Sequence, residues 1–115
     1  MENCLFCKIG QHKVKAEIIF ENERLFVISD IHPNAKIHLL VIPKEHIEFE
    51  EYNFSQKAEI LSELLLAARD AADRVGILKS GFRLVINTGE NSGRGFDHLH
   101  IHVLGGEKLG DNIQG

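Results

Sequence analysis

Three histidines occupy alternate positions near the end of the chain, at His98, His100 and His102, with apolar residues between them. Strict alternation of this kind predicts a half-buried β-strand, because successive side chains of a strand point to opposite faces of the sheet. We expect the strand to run from His98 to Leu104 and to carry all three imidazoles on one face. Imidazole titrates near neutral pH, so each ring could act as a nucleophile, a proton carrier or a metal ligand.

A glycine-rich segment, residues 87–95, comes directly before this strand and contains Gly89, Gly93 and Gly95. Glycine lets the backbone approach a ligand closely, so consecutive N–H groups can converge on an anion such as phosphate. The same composition is also typical of an ordinary long hairpin loop. Its position before the histidines favours phosphate binding, with Asn87 and Arg94 as further candidate contacts.

Taken together, these residues resemble the signature of the histidine triad (HIT) superfamily of nucleotide hydrolases and transferases. The resemblance extends upstream to residues 38–47 and to Asp30-Ile31, and so covers essentially the whole chain. Gly105-Gly106 after the triad favours the branch of small purine nucleoside phosphoramidases over the dinucleoside polyphosphate hydrolases. The chain departs from that branch at Arg94 and Gly95, where Gln and Ser are usual.

The resemblance implies cleavage of the P–N bond of purine nucleoside 5′-phosphoramidates through a covalent nucleotidyl-histidine intermediate. Covalent catalysis splits one displacement into two. His100 matches the nucleophile of the superfamily, and His102 would contact the phosphoryl oxygens and assist the leaving group. His98 completes the triad, and His38 is implied to support the site from a separate strand.

The resemblance also implies a purine nucleotide site. Asp30 would accept hydrogen bonds from the ribose hydroxyls, with a turn before His32-Pro33 as its alternative role. The implied nucleotide-binding residues are Asp30, Ile31, Phe6, Val14, Ile28, Asn87, Gly93, Arg94 and Gly95.

Cys4 and Cys7 form a C-x-x-C pair. In a reducing compartment such a pair more often binds metal or does redox chemistry than forms a structural disulfide. Relatives that keep this pair resemble this chain in also having histidine at positions 46 and 98, which implies a structural zinc site of Cys4, Cys7, His46 and His98. The alternative is two small buried thiols without metal. The chemistry itself needs no cofactor.

The elements that must position these residues follow from hydrophobic periodicity. Strands are predicted at 17–21, 25–29, 37–42, 82–86 and 98–104, in an antiparallel meander. A long helix follows Asn53 or Ser55 as N-cap and ends at Gly76, and a shorter helix covers Cys4 to Gly10. The predicted fold class is α+β, one five-stranded antiparallel sheet with one long and one short helix.

Composition limits the possible partners. The chain has 115 residues, 43% of them hydrophobic, and a formal net charge of -4, which predicts a single domain, residues 1–115, without the basic surface that nucleic acid requires. No segment is apolar enough for a signal peptide or a membrane span, so we expect a cytoplasmic protein.

Leu64, Leu65 and Leu66 are consecutive in the predicted long helix and cannot all face one sheet. The apolar surface left over on this helix predicts a homodimer, as the resemblance also implies. The alternative is a wide core-facing stripe in a monomer.

Two functions of other classes remain open on the sequence. The triad histidines, or two of them with His38, could bind a catalytic zinc ion that activates water. The chain could instead be a nucleotide-binding module without turnover. Activity measured after metal chelation distinguishes these possibilities from the covalent mechanism.

Overall fold

The computed structural model describes residues 3–93 and 97–111. Its elements are α1 (Leu5–Gly10), β1 (Ile18–Glu21), β2 (Leu25–Ser29), β3 (Ile37–Pro43), α2 (Ala58–Arg74), β4 (Phe82–Val85) and β5 (Ile101–Gly105), with 3-10 turns at Phe54–Lys57 and Glu90–Ser92. The predicted α+β fold, with a five-stranded antiparallel sheet, is confirmed. Within the described ranges, no helix is long and apolar enough to cross a membrane.

The strands lie in the order β1-β2-β3-β5-β4. The first three form the predicted meander, but the meander is wrong for the rest, because β5 lies between β3 and β4. The reason is the α2 crossover, which packs over β2, β3 and β5 and places β4 one strand away from β3. Because β5 fills this gap, it pairs with a strand on each side, and its histidine, His102, lies on an interior strand of the sheet.

Both faces of the sheet are covered. On one face α2 packs against alternate residues of the central strands, including Leu39, Val41 and Val103. On the other face α1 packs Phe6 and Ile9 against the intervening residues, namely Phe26, Ile28, Leu40 and Ile42. His102 lies opposite Leu40 in the β3–β5 register, so the period of two places it on the α1 face, away from the long helix.

The strand predicted from His98 begins only at Ile101, so His98 and His100 lie before it. Two contacts hold this segment toward the end of β3. The Leu99 N–H donates to the Ile47 carbonyl at 2.8 Å, and the His98 ring lies 2.7 Å from the Pro43 carbonyl. The other four strands match the prediction to within one residue at each end.

The predicted start of the long helix needs a smaller correction. Asn53 caps a single 3-10 turn, and the α-helix begins after it, at Ala58, so Ser55 lies inside the turn and is not the N-cap. At the other end Gly76 has a φ of 83° and directly follows the C-cap, Val75. This left-handed conformation is the one in which glycine commonly ends helices, as predicted.

Candidate active site

Four histidines are buried beside one another on the α1 face and in the segment just before β5. His38, His98, His100 and His102 are each at most 6% exposed. The ring of His102 lies between two others, with centroid distances of 5.1 Å to His38 and 4.9 Å to His100. Buried polar side chains require hydrogen-bond partners, and those partners determine which nitrogen of each imidazole carries the proton.

His100 is held by its own backbone segment. Its Nδ1 lies 2.7 Å from the carbonyl oxygen of His98. Because a carbonyl can only accept, Nδ1 must donate, and the lone pair of the neutral ring is then on Nε2. His100 therefore has the tautomer that a nucleophile needs, with an unprotonated Nε2.

His38 and His102 form a chain of hydrogen bonds with one direction. The Asn34 N–H donates to His38 Nδ1 at 3.0 Å, so the proton of neutral His38 is on Nε2. That nitrogen lies 2.8 Å from His102 Nδ1 and donates to it. The proton of neutral His102 is therefore on Nε2, which makes this atom a hydrogen-bond donor.

Burial favours the neutral form of all four rings. Desolvation, reinforced by the neighbouring His100 and His38, lowers the pKa of His102 to about 4. Desolvation likewise lowers the pKa of His98 to about 4 and also lowers the pKa values of His38 and His100. The assigned tautomers therefore describe the site at neutral pH.

These pKa shifts predict that the protein loses stability in acid. His102 has a pKa of about 4 in the folded protein and an ordinary value of 6.5, so between these two values the unfolded chain binds a proton that the folded chain does not. The free energy of unfolding then falls as the pH falls, by about 1.4 kcal/mol per pH unit for each such group. Urea unfolding of wild type and His102→Asn from pH 6.5 to 4 measures this contribution, and the variant should show a shallower dependence. Equal slopes would contradict the assignment.

A second cluster forms where α1 meets the start of β5. The potential ligand atoms of Cys4, Cys7, His46 and His98 all lie within 4.8 Å of one another. Cys4 Sγ is 3.2 Å from His98 Nδ1, and Cys7 Sγ is 3.4 Å from His46 Nδ1. The structure thus brings together the four residues expected to bind metal, and two sulfurs with two imidazole nitrogens are a donor set that suits tetrahedral zinc.

The hydrogen bonds behind these ligands also suit a metal ion. His98 donates from Nε2 to the Pro43 carbonyl at 2.7 Å, and His46 donates from Nε2 to a Glu48 carboxylate oxygen at 2.8 Å. Both Nδ1 lone pairs therefore face the cysteines, in the arrangement typical of metal-binding histidines. Burial and a hydrogen bond with Cys4 raise the pKa of the Cys7 thiol to about 11, so its thiolate requires a cation nearby. The residues present fit a zinc ion.

The expected nucleotide-binding residues lie in different environments. Phe6 and Ile28 are only 3% and 5% exposed and belong to the core under α1. Phe6 packs against His100, with ring centroids 5.0 Å apart. Val14 and Ile31 are exposed. Asp30 accepts from the His32 N–H at 2.9 Å, which is the turn role given above as its alternative.

The glycine-rich loop contains a 3-10 turn at Glu90–Ser92, and Gly89 and Gly93 on either side of it have left-handed φ angles. The Gly93 N–H donates to the Glu90 carbonyl at 3.0 Å, so this expected phosphate donor is engaged within the loop. Asn87 is half-buried and shares a small cavity with His98 and Leu99. Arg94 and Gly95 lie outside the described residues.

Comparison with known proteins identifies the family. The family model for the HIT domain matches residues 11–109. The chain belongs to the HIT family. Protein HitA of Neisseria gonorrhoeae is 36% identical over 91% of this chain and 97% of its own length. The solved HIT family hydrolase from Clostridium thermocellum is 43% identical, covers 99% of both chains and superposes with a TM-score of 0.90.

A more distant structure, the histidine triad nucleotide-binding protein from Candida albicans, shares the HIT fold. It is 23% identical, covers 97% of this chain and 87% of its own, and has a TM-score of 0.78. At this identity the likeness supports the fold alone. The superfamily expected from the sequence is confirmed.

Three contributors to this HIT site were missed by sequence reasoning. The N–H of Asn34 and the carbonyl of Pro43 set the tautomers of His38 and His98, and main-chain groups have no sequence signature. Glu48, which binds His46, could have been found, since it is an acidic residue two positions beyond an expected ligand.

Proposed function

We propose that this HIT protein hydrolyses purine nucleoside 5′-phosphoramidates through a nucleotidyl intermediate on His100. The observation that carries the proposal is the tautomer of His100, which has Nδ1 bound to the His98 carbonyl and the lone pair on Nε2. The similar protein from C. thermocellum is called a HIT family hydrolase, which supports hydrolysis as the type of reaction.

The first step is an in-line attack by His100 Nε2 on phosphorus. An N–P bond forms while the P–N bond to the amine breaks, and the leaving nitrogen takes up a proton from solvent. Water then attacks the nucleotidyl-histidine, releases the nucleoside monophosphate and returns a proton to solvent. The hydrogen bond from His100 Nδ1 to the His98 carbonyl stabilises the positive charge on the ring in the intermediate.

His102 and His38 act on the phosphoryl group as a pair. Because His38 donates to His102 Nδ1, the Nε2–H of His102 is the donor that can bind a non-bridging oxygen as negative charge develops there. In acyl transfer, a preorganised donor of this type contributes about 2.7–4 kcal/mol. Asp30 and Arg94 are proposed to bind the ribose hydroxyls and the phosphate, respectively.

We also propose that Cys4, Cys7, His46 and His98 hold a structural zinc ion. When bound, it would supply the positive charge that the thiolates require and would link α1 to the segment that precedes β5. The ion has no part in bond breaking, since His100 and His102 provide the nucleophile and the donor. In this arrangement the His98 ring would bind the metal, and the His98 carbonyl accepts the hydrogen bond from His100 Nδ1.

The proposed assembly is a homodimer through the β4 edge of the sheet. Strand β4 is terminal in the sheet that the described residues form, and the edge of a sheet can pair with a second chain. Leu84 on this strand is 38% exposed and lies on the α2 face, where Leu65 is 54% exposed. The proposal predicts that Leu84→Lys dimerises more weakly than wild type. Sedimentation velocity of the two proteins measures this difference, and equally strong dimers would contradict the proposal.

The function is tested with adenosine 5′-phosphoramidate and the zinc-loaded protein, before and after a chelator removes accessible metal, with the fold followed by circular dichroism. We expect AMP to be released at both stages as long as the protein stays folded. Loss of turnover from a folded protein would favour a catalytic metal ion instead. Nucleotide binding without turnover would identify a binding module, and faster cleavage of diadenosine polyphosphates would identify a hydrolase of the other branch.

A further inference from the structure

Two groups of potential metal ligands are found among residues 3–93 and 97–111. One is the cysteine–histidine cluster described above, and the other consists of Asp30, His38 and His102. In the second group, His38 Nε2 is 2.8 Å from His102 Nδ1 and 3.4 Å from Asp30 Oδ2. A cation bound there would occupy the histidines that the proposed chemistry uses.

The two groups differ in where their histidine protons lie. A neutral histidine binds metal through the nitrogen with the lone pair and donates from the other nitrogen. In the cysteine–histidine cluster, His46 and His98 meet this requirement. In the second group His38 has the opposite arrangement, because Nδ1 accepts from the Asn34 N–H and the proton is on Nε2, the atom that faces Asp30 and His102.

We propose that the main-chain N–H of Asn34 is a positioning group that keeps a proton, rather than a metal ion, between His38 and His102. Metal is thereby directed to the cysteine–histidine cluster, and His102 keeps its proton on Nε2. The use of this His102 proton to bind a phosphoryl oxygen rests on the proposed function, whereas the position of the proton and the exclusion of metal do not.

The physical basis is the cost of moving the His38 proton. For Nε2 to bind a cation, its proton must move to Nδ1, where it would point at the Asn34 N–H from 3.0 Å away, or it must leave and produce an imidazolate. In the first case two donors face each other without an acceptor. His38 is 4% exposed, so water cannot replace the lost partner, and burying unpaired donors is strongly unfavourable.

The loop around Asn34 is fixed so that this N–H keeps its direction. At one end the Asp30 N–H donates to the His38 carbonyl at 2.9 Å, and Asp30 Oδ1 accepts from the His32 N–H at 2.9 Å. Further along, the Lys36 N–H donates to Glu107 at 2.7 Å. Asp30 Oδ2, which can only accept while ionised, also favours a proton on His38 Nε2.

The direct test is ¹⁵N NMR of the histidine rings in the intact wild-type protein at neutral pH. We expect His38 and His102 both to be protonated on Nε2 and unprotonated on Nδ1. A His38 ring protonated on Nδ1 would overturn the proposal. Because the measurement uses resting protein without substrate, its outcome is independent of whether the protein hydrolyses phosphoramidates.

The second test removes the N–H itself. Asn34→Pro lacks this donor, whereas the control Asn34→Ala keeps it and loses only the side chain. In zinc titrations followed by equilibrium dialysis, Asn34→Pro should bind one more ion per chain than wild type does at the same zinc concentrations. The affinity of this additional site should be at least about tenfold above the affinity of the same site in wild type. Asn34→Ala should match wild type, and adding His38→Gln to Asn34→Pro should abolish the extra ion.

A folded Asn34→Pro protein that binds no additional ion would overturn the proposal, and so would an additional ion in Asn34→Ala. An additional ion bound by His38 in wild type would overturn it as well. If Asn34→Pro does not fold, the NMR measurement on wild type decides alone.

Discussion

Replacing His100 by alanine should lower kcat for adenosine 5′-phosphoramidate by at least about 10⁴-fold, as expected when a nucleophile is removed. His102 and His38 would still bind the phosphoryl group, but no atom would remain to form the covalent intermediate. AMP should still bind with an affinity within a few-fold of that of wild type. Steady-state kinetics and calorimetric AMP binding measure the two quantities.

His12→Ala provides the matched control for this substitution. His12 is an exposed histidine that pairs with Glu21, so its loss should leave kcat within about twofold of wild type. Since His100 packs against Phe6 in a buried position, the thermal transition of His100→Ala must also be recorded. A folded His100→Ala protein that retains a tenth or more of wild-type kcat would be incompatible with a nucleophilic role.

The second large effect is expected at the metal cluster. If free zinc is 1,000-fold above its dissociation constant, binding adds about 4 kcal/mol to the free energy of unfolding. Cys7→Ser should therefore lose about this amount and should bind no zinc, because Cys7 lies within 3.5 Å of both histidine ligands. Urea unfolding at fixed zinc concentration, together with the metal content per chain, measures the effect.

Metal-free wild type is the control for Cys7→Ser. Once zinc has been removed from both proteins, their stabilities should differ by less than the loss of about 4 kcal/mol expected with zinc, because the remaining difference is the burial of a serine hydroxyl in place of a thiol. A wild-type protein that contains no zinc and is no more stable than Cys7→Ser would instead favour two buried thiols without metal.

The sequence predicts the local structure of the site well where side-chain periodicity determines it. The alternation from His100 to Leu104 correctly indicates that Val103 faces the core and His102 the opposite side. The alternation fails to give the start of the strand, because His98 and Leu99 bind main-chain groups of Pro43 and Ile47. At the start of this strand, such tertiary contacts outweigh the two-residue periodicity of the sequence.

The position of β5 between β3 and β4 could not be predicted from periodicity, since either strand order buries the same apolar residues. The tautomers of His38 and His100 were also beyond the sequence. They depend on the Asn34 N–H and the His98 carbonyl, groups that nearly every residue possesses. The C-x-x-C motif indicated that Cys4 and Cys7 could bind metal, but only the family resemblance implied their partners, because His46 and His98 are more than fifty residues apart in the chain.

The central claim is that His100 Nε2 becomes covalently bonded to phosphorus. The most direct test is mass spectrometry of wild-type protein quenched with base within the first turnover of adenosine 5′-phosphoramidate, since phosphorus–imidazole bonds are labile in acid. The proposed mechanism predicts an adenylyl adduct that maps to the peptide containing His100 and is absent from His100→Ala. Release of AMP in that turnover with no adduct at any time point, or with the adduct on another residue, would contradict it.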